Sequence, residues 1–230
     1  MSITDANKLK VKDVEIHYID EGQGDPLVFL HGVPTSGRVW SQVLPYFTDH
    51  ARCIVPDLPG FGESSKPDIE YKITDHIEYL SAFLDALDLK NVTFVSQAWG
   101  SIIAFDYARR HEDRVSGLAF FESYLRPITD WTMMSLPMQE LAAIVNQEDN
   151  AAVLESTDYF IEKLLPRAML KEMSDEDTIV YRDAINQTAH HQPLLQYLRE
   201  VPTGAEPAYM TEIISDYSKW LQKTDIPKLL

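Results

Sequence analysis

Hydrophobic positions in the first half of the chain follow two alternating periods. Val14 to Ile19 alternates apolar and polar side chains, as a strand with one buried face does. A Gly-rich turn ends at Asp25-Pro26, and Leu27-Val28-Phe29-Leu30 follows as a fully apolar run. Arg52-Cys53-Ile54-Val55 makes another such run. The period then lengthens: Ile77, Leu80, Leu84 and Leu87 place one apolar stripe on a helix. Val92-Thr93-Phe94-Val95 returns to a β-branched and aromatic run, and Ile102, Ile103, Phe105 and Ala108 suit a helix packed closely on a sheet. Val115 to Phe121 closes the series with one more buried strand. Continuous apolar strands alternating with helices predict a mostly parallel sheet covered on both faces. The fold class is α/β.

From about Tyr124 the pattern changes. Strand signals fade, and helix formers take over together with Met133, Met134, Met138, Met169 and Met173. Residues 137–146, 157–165, 174–190 and 209–222 read as helices, punctuated by Pro127, Pro137, Pro166, Pro193, Pro202 and Pro207. Three parts are expected: the first part of an α/β core over 1–123, a helical cap over 124–218, and a return to the core over 219–230. Ile226-Pro227-Lys228-Leu229-Leu230 opens a further strand there, so the sheet is expected to be truncated.

Composition narrows the function classes. The chain has 230 residues, 45% hydrophobic and 24% charged, which argues against wholesale disorder. Against 36 Asp+Glu stand 20 Lys+Arg, a net charge of -16, so phosphate backbones and anionic lipid are repelled. Neither nucleic acid nor a membrane is an expected partner. No apolar run nears the roughly 18 residues of a membrane span, and the first residues lack a signal-peptide layout. The cytoplasm is the simplest expected location. A single cysteine, Cys53, excludes an internal disulfide and a Cys-rich zinc site, and the adjacent His190-His191 reads as a surface feature. No metal or cofactor is expected.

Candidate chemistry gathers at three turns. Val92 to Ser101 runs from strand into helix as Ser96-Gln97-Ala98-Trp99-Gly100, with small residues at both flanks of a crowded turn. The residue between the flanks of such an elbow is normally the nucleophile. Here it is Ala98, whose methyl group can neither attack nor be activated. The loop Leu30-His31-Gly32-Val33-Pro34-Thr35 follows an apolar strand, where an α/β hydrolase draws a backbone N–H for its oxyanion hole; the donors would be Val33 and Trp99. Asp57 to Ser64 supplies the turn after the next strand, and Ser65 stands where a dinucleotide fingerprint needs its third Gly.

The stretches His31 to Ser36, Asp57 to Ser65, Trp99-Gly100-Ser101, Phe105 to Arg110 and Asp216 to Leu230 resemble the haloalkane dehalogenases, within the α/β-hydrolase superfamily. Renilla-type luciferases look similar over the same segments. The resemblance implies an α/β-hydrolase fold with a helical cap, acting with water on a small apolar halogenated molecule. In the family an elbow Asp displaces halide to form an alkyl-enzyme ester, and a His-activated water hydrolyses it while an acid orients the His. The matching positions are Ala98 for the vacated nucleophile, Glu122 for one version of the acid, and Trp99 for the indole donor to halide. Val33 stands where many members carry an Asn halide donor, and Gln97 where members have His or Gln. Phe160, Tyr197 and Leu198 match positions lining the pocket from the cap. The family's catalytic His, on the loop after the last strand, has no counterpart among His17, His31, His50, His76, His111, His190 and His191.

The expectation is a haloalkane dehalogenase-like hydrolase that is inactive as written. Two alternatives stand beside it. One is a non-catalytic protein holding a small apolar ligand under the cap; the other is an enzyme of this fold whose chemistry bypasses the elbow residue.

Overall fold

The computed structural model describes residues 6–136, 160–168, 192–202 and 206–230, with scattered positions between 138 and 182. Seven strands make one sheet: β1 (Ala6–Val11), β2 (Val14–Glu21), β3 (Pro26–Leu30), β4 (Arg52–Pro56), β5 (Val92–Gln97), β6 (Val115–Phe121) and β7 (Lys228–Leu229). Their order is β1-β2-β4-β3-β5-β6-β7. The strands from β4 through β3, β5 and β6 to β7 pair in parallel, while β1 and β2 run antiparallel. The three apolar runs fill the middle of the sheet, and Val28, Ile54 and Phe94 are fully buried there. Strands covered on both faces need no polar alternation, which is why these read so plainly from the chain. The strand β1 is not among those the pattern predicts. Asn7, Lys8 and Lys10 give it the polar composition of an edge strand, and it pairs on β2 alone.

Four helices matter to the core: α1 (Ile73–Ala86), α2 (Trp99–Arg110), α3 (Gln192–Glu200) and α4 (Ala208–Leu221). Helix α2 is buried from Trp99 to Ala108, because the sheet, α1 and α4 enclose it. Phe105 meets Phe120 edge-on at 4.9 Å and Tyr217 at 5.2 Å. Helix α4, which the sequence pattern groups with the insertion, packs Met210, Ile214 and Tyr217 into this same cluster. On the other sheet face Phe29, Cys53 and Val55 lie under Trp40 and Leu44 from two short 3-10 turns. Burial pushes the Cys53 thiol up to about 11, so it is unreactive in the folded protein.

A second, smaller cluster joins Ile161, Leu194 and Leu198. Val33 and Tyr197 pack against both clusters and so join them. Helix α3 is also absent from the predicted elements, because Pro193 reads as a break. In the first turn a proline costs no hydrogen bond, and there it opens the helix.

The turn after β4 is built around Asp57. Its carboxylate accepts the N–H of Gly37 at 2.7 Å and of Glu63 at 2.9 Å, and lies 2.9 Å from His17 Nδ1. A Cβ on Gly62 would sit 2.3 Å from Asp57 Oδ2, with φ at 51°, so only glycine fits. Burial works to raise the Asp57 carboxyl, but the bond from His17, the His31 ring and these two N–H groups hold it below its usual value. The hydrogen bond to Asp57 raises His17 above its ordinary 6.5, against burial. A raised His stabilises fully below its ordinary value, and that contribution fades as pH rises through the raised one. His17→Asn should therefore lower the melting temperature more at about pH 5 than at about pH 9. An equal loss at both pH values would contradict this.

Candidate active site

The strand β5 and helix α2 meet at Ala98, with φ 47° and ψ -113°. This conformation costs a non-glycine residue on the order of 1–3 kcal/mol and persists only where neighbours impose it. The neighbours are identifiable. Ala98 donates its N–H to the Phe121 carbonyl at 3.4 Å, and its own carbonyl accepts from Ser101 at 3.0 Å. Gly100 lies so near the end of β3 that a Cβ would stand 2.6 Å from the Leu30 carbonyl oxygen and 2.7 Å from that of His31. Helix α2 thus presses its first turn directly on the His31-Gly32-Val33 loop.

That contact brings the loop to the elbow. A Cβ built on Gly32 would fall 3.1 Å from the Ala98 methyl carbon, so residue 98 faces the loop across bare backbone. Among the described residues neither the Val33 N–H nor the Trp99 N–H is taken by another group. His31 shapes the loop. Its Nδ1 lies 2.8 Å from the Gly32 carbonyl, and its Nε2 accepts the Leu58 N–H at 3.0 Å. Burial lowers His31 and brings His76 down to about 3, which favours the uncharged rings. With both nitrogens engaged by backbone, His31 has no free atom for proton transfer.

Trp99 is only 1% exposed, and its ring meets Tyr197 of α3 edge-on at 4.9 Å. The Tyr197 hydroxyl accepts from Tyr124, whose carbonyl in turn accepts from Tyr217 of α4. Burial pushes the Tyr197 phenol up to about 12. Leu198 turns instead into the neighbouring cluster with Ile161 and Leu194. The Phe160 side chain and His190-His191 lie outside the described residues.

Glu122 follows the last residue of β6 at φ 51°, beside the elbow through the Gln97–Phe121 register. Its carboxylate accepts the Gln97 carboxamide at 2.7 Å. Sequence reasoning assigns no part to Gln97 or Tyr124. Gln97 adjoins the elbow, which is signal enough; nothing in the sequence around Tyr124 marks it.

A family model described as "alpha/beta hydrolase fold" matches residues 25–189. A haloalkane dehalogenase of Mesorhizobium japonicum is 37% identical over 228 residues, covering 97% of this chain and 74% of that protein. The chain belongs to the haloalkane dehalogenase family. A haloalkane dehalogenase of Sphingobium indicum is 34% identical, over 96% of this chain and 76% of its own length. Among solved structures, the haloalkane dehalogenase DatA of Agrobacterium tumefaciens superposes with a TM-score of 0.88 at 34% identity, over 97% of this chain and 77% of its own. The haloalkane dehalogenase DbeA of Bradyrhizobium elkani gives 0.90 at 31% identity, over 97% and 78%. The chain thus spans about three quarters of these family members. Among the described residues no helix is long and apolar enough to cross a membrane.

Proposed function

We propose that this member of the haloalkane dehalogenase family binds small apolar halogenated molecules between elbow and cap, and does not hydrolyse them as its sequence stands. The observation that carries the reading is Ala98: the strained elbow is kept, and the side chain it presents has no nucleophilic atom. In a triad enzyme, loss of the nucleophile costs about a millionfold in turnover. The surroundings still suit a halogenated ligand. Trp99 supplies an indole N–H, Trp99 and Val33 supply unclaimed backbone N–H groups, and Tyr197 closes the apolar side. Glu122, the position the resemblance matches to the acid, is engaged by the Gln97 carboxamide.

The test uses the unaltered chain with 1-bromobutane. Ligand at about ten times its dissociation constant adds ~1.4 kcal/mol of stability, a rise of roughly 3 °C in melting temperature for a chain this size. Bromide release stays at the buffer rate. Catalytic release would overturn the inactivity, and a flat melting temperature at saturating ligand would remove the pocket. Ala98 thus favours a holding role over the alternative in which other residues carry the chemistry.

A further inference from the structure

The seam between cap and core contains a buried carboxylate that the elbow chemistry does not use. Glu200 is the last residue of α3 and is fully buried. Its Oε2 accepts the backbone N–H of Ile73, the first residue of α1, at 2.9 Å. Its Oε1 accepts the phenol O–H of Tyr209 in α4, and the Gln196 side chain adds a third bond from α3 itself. One carboxyl group therefore ties three helices together. The fit to α1 is specific. Asp75 takes the Lys72 N–H at 2.9 Å, and Glu200 reaches across 127 positions to take the Ile73 N–H. Tyr197, one turn before Glu200 on α3, makes the edge contact with Trp99.

We infer that Glu200 is a positioning residue: a proton-sensitive clasp that holds α3 on the core and so sets how closely Tyr197 covers Trp99 above the elbow. Burial raises the Glu200 carboxyl to about 7, assisted by Asp75 on α1 and opposed by the bonds from Tyr209, Ile73 and Gln196. Lys72 at the start of α1 is the nearby cation, and Glu70 adds negative charge around Tyr209. A carboxyl raised in the folded state stabilises fully below its ordinary value, and the contribution is lost as pH rises through the raised value. The clasp is therefore firm in mild acid and loosens through neutrality. Burial brings His76 down to about 3, so its titration does not fall in this range.

The consequence for ligands rests on the reading of Trp99 and Tyr197 as pocket walls; the clasp itself does not. It is read without ligand, as the difference in tryptophan emission between the unaltered chain and Trp99→Phe from about pH 5.5 to 8.5. That difference should shift with a midpoint of about 7. Glu200→Gln keeps an acceptor but cannot ionise, and should abolish the step in a chain that still melts cooperatively. Tyr209→Phe removes a bond that favours the carboxylate, so it should move the midpoint to higher pH. That second variant decides the matter even if Glu200→Gln does not fold. A flat profile in the unaltered chain, a step surviving in Glu200→Gln, or an unmoved midpoint in Tyr209→Phe would overturn the clasp. A sound clasp with no ligand response would instead strike at the pocket.

Discussion

An Ala98→Asp variant incubated with 1-bromobutane gains about 56 Da, releases about one bromide per chain, and then stops. The introduced carboxylate attacks the terminal carbon through one oxygen, the carbon–bromine bond breaks, and bromide leaves with the electron pair. A butyl ester of the new side chain remains. Its hydrolysis needs a base to take a proton from water. His31 is engaged by backbone at both nitrogens, so it cannot serve. Nor is room lacking: Gly32 leaves bare backbone opposite residue 98. Alanine already occupies φ 47° and ψ -113°, so aspartate meets the same backbone demand in the same socket. Intact-mass measurement and bromide titration follow the two products independently. Neither adduct nor bromide would refute the pocket and elbow reading together. Many bromides per chain would show that a working base exists after all.

Gly100→Ala should cost about 2–4 kcal/mol and lower the melting temperature by roughly 8 °C, although alanine is the better helix former. Two effects oppose each other here. Replacing glycine within a helix gains on the order of 1 kcal/mol. Against it, the new methyl carbon falls 2.6 and 2.7 Å from the Leu30 and His31 carbonyl oxygens, both backbone atoms of the central strand and its loop. Neither can swing aside as a side-chain tip would. The helix must lift, and with it the contact that gathers Gly32, Val33 and Ala98. Thermal unfolding checks the first claim. An unchanged or higher melting temperature would mean that the loop yields easily and does not hold the elbow in shape.

Most of the sheet is legible in the chain because its central strands are buried on both faces, which leaves uninterrupted runs such as Leu27 to Leu30. The edge strand β1 escapes for the complementary reason: Asn7, Lys8 and Lys10 look like loop composition. The elbow is readable because crowding at Gly100 restricts the residue type there. The bonds around it are not. Tyr124, Gln97 and Glu200 act through partners brought close only by folding, the last across 127 positions. Helix α3 is hidden by Pro193, a residue that breaks a helix interior but suits its first turn.

Residue 98 does not make its own conformation. An alanine has no use for φ 47°, yet it is held there by Gly100 against β3 and by the register of β5 with β6. The elbow is a socket formed by its neighbours, and any small side chain placed in it is aimed at the same spot. Each aspartate codon lies one base from an alanine codon. A single mutation can therefore silence or equip this position while the scaffold, already committed to its shape, is inherited unchanged.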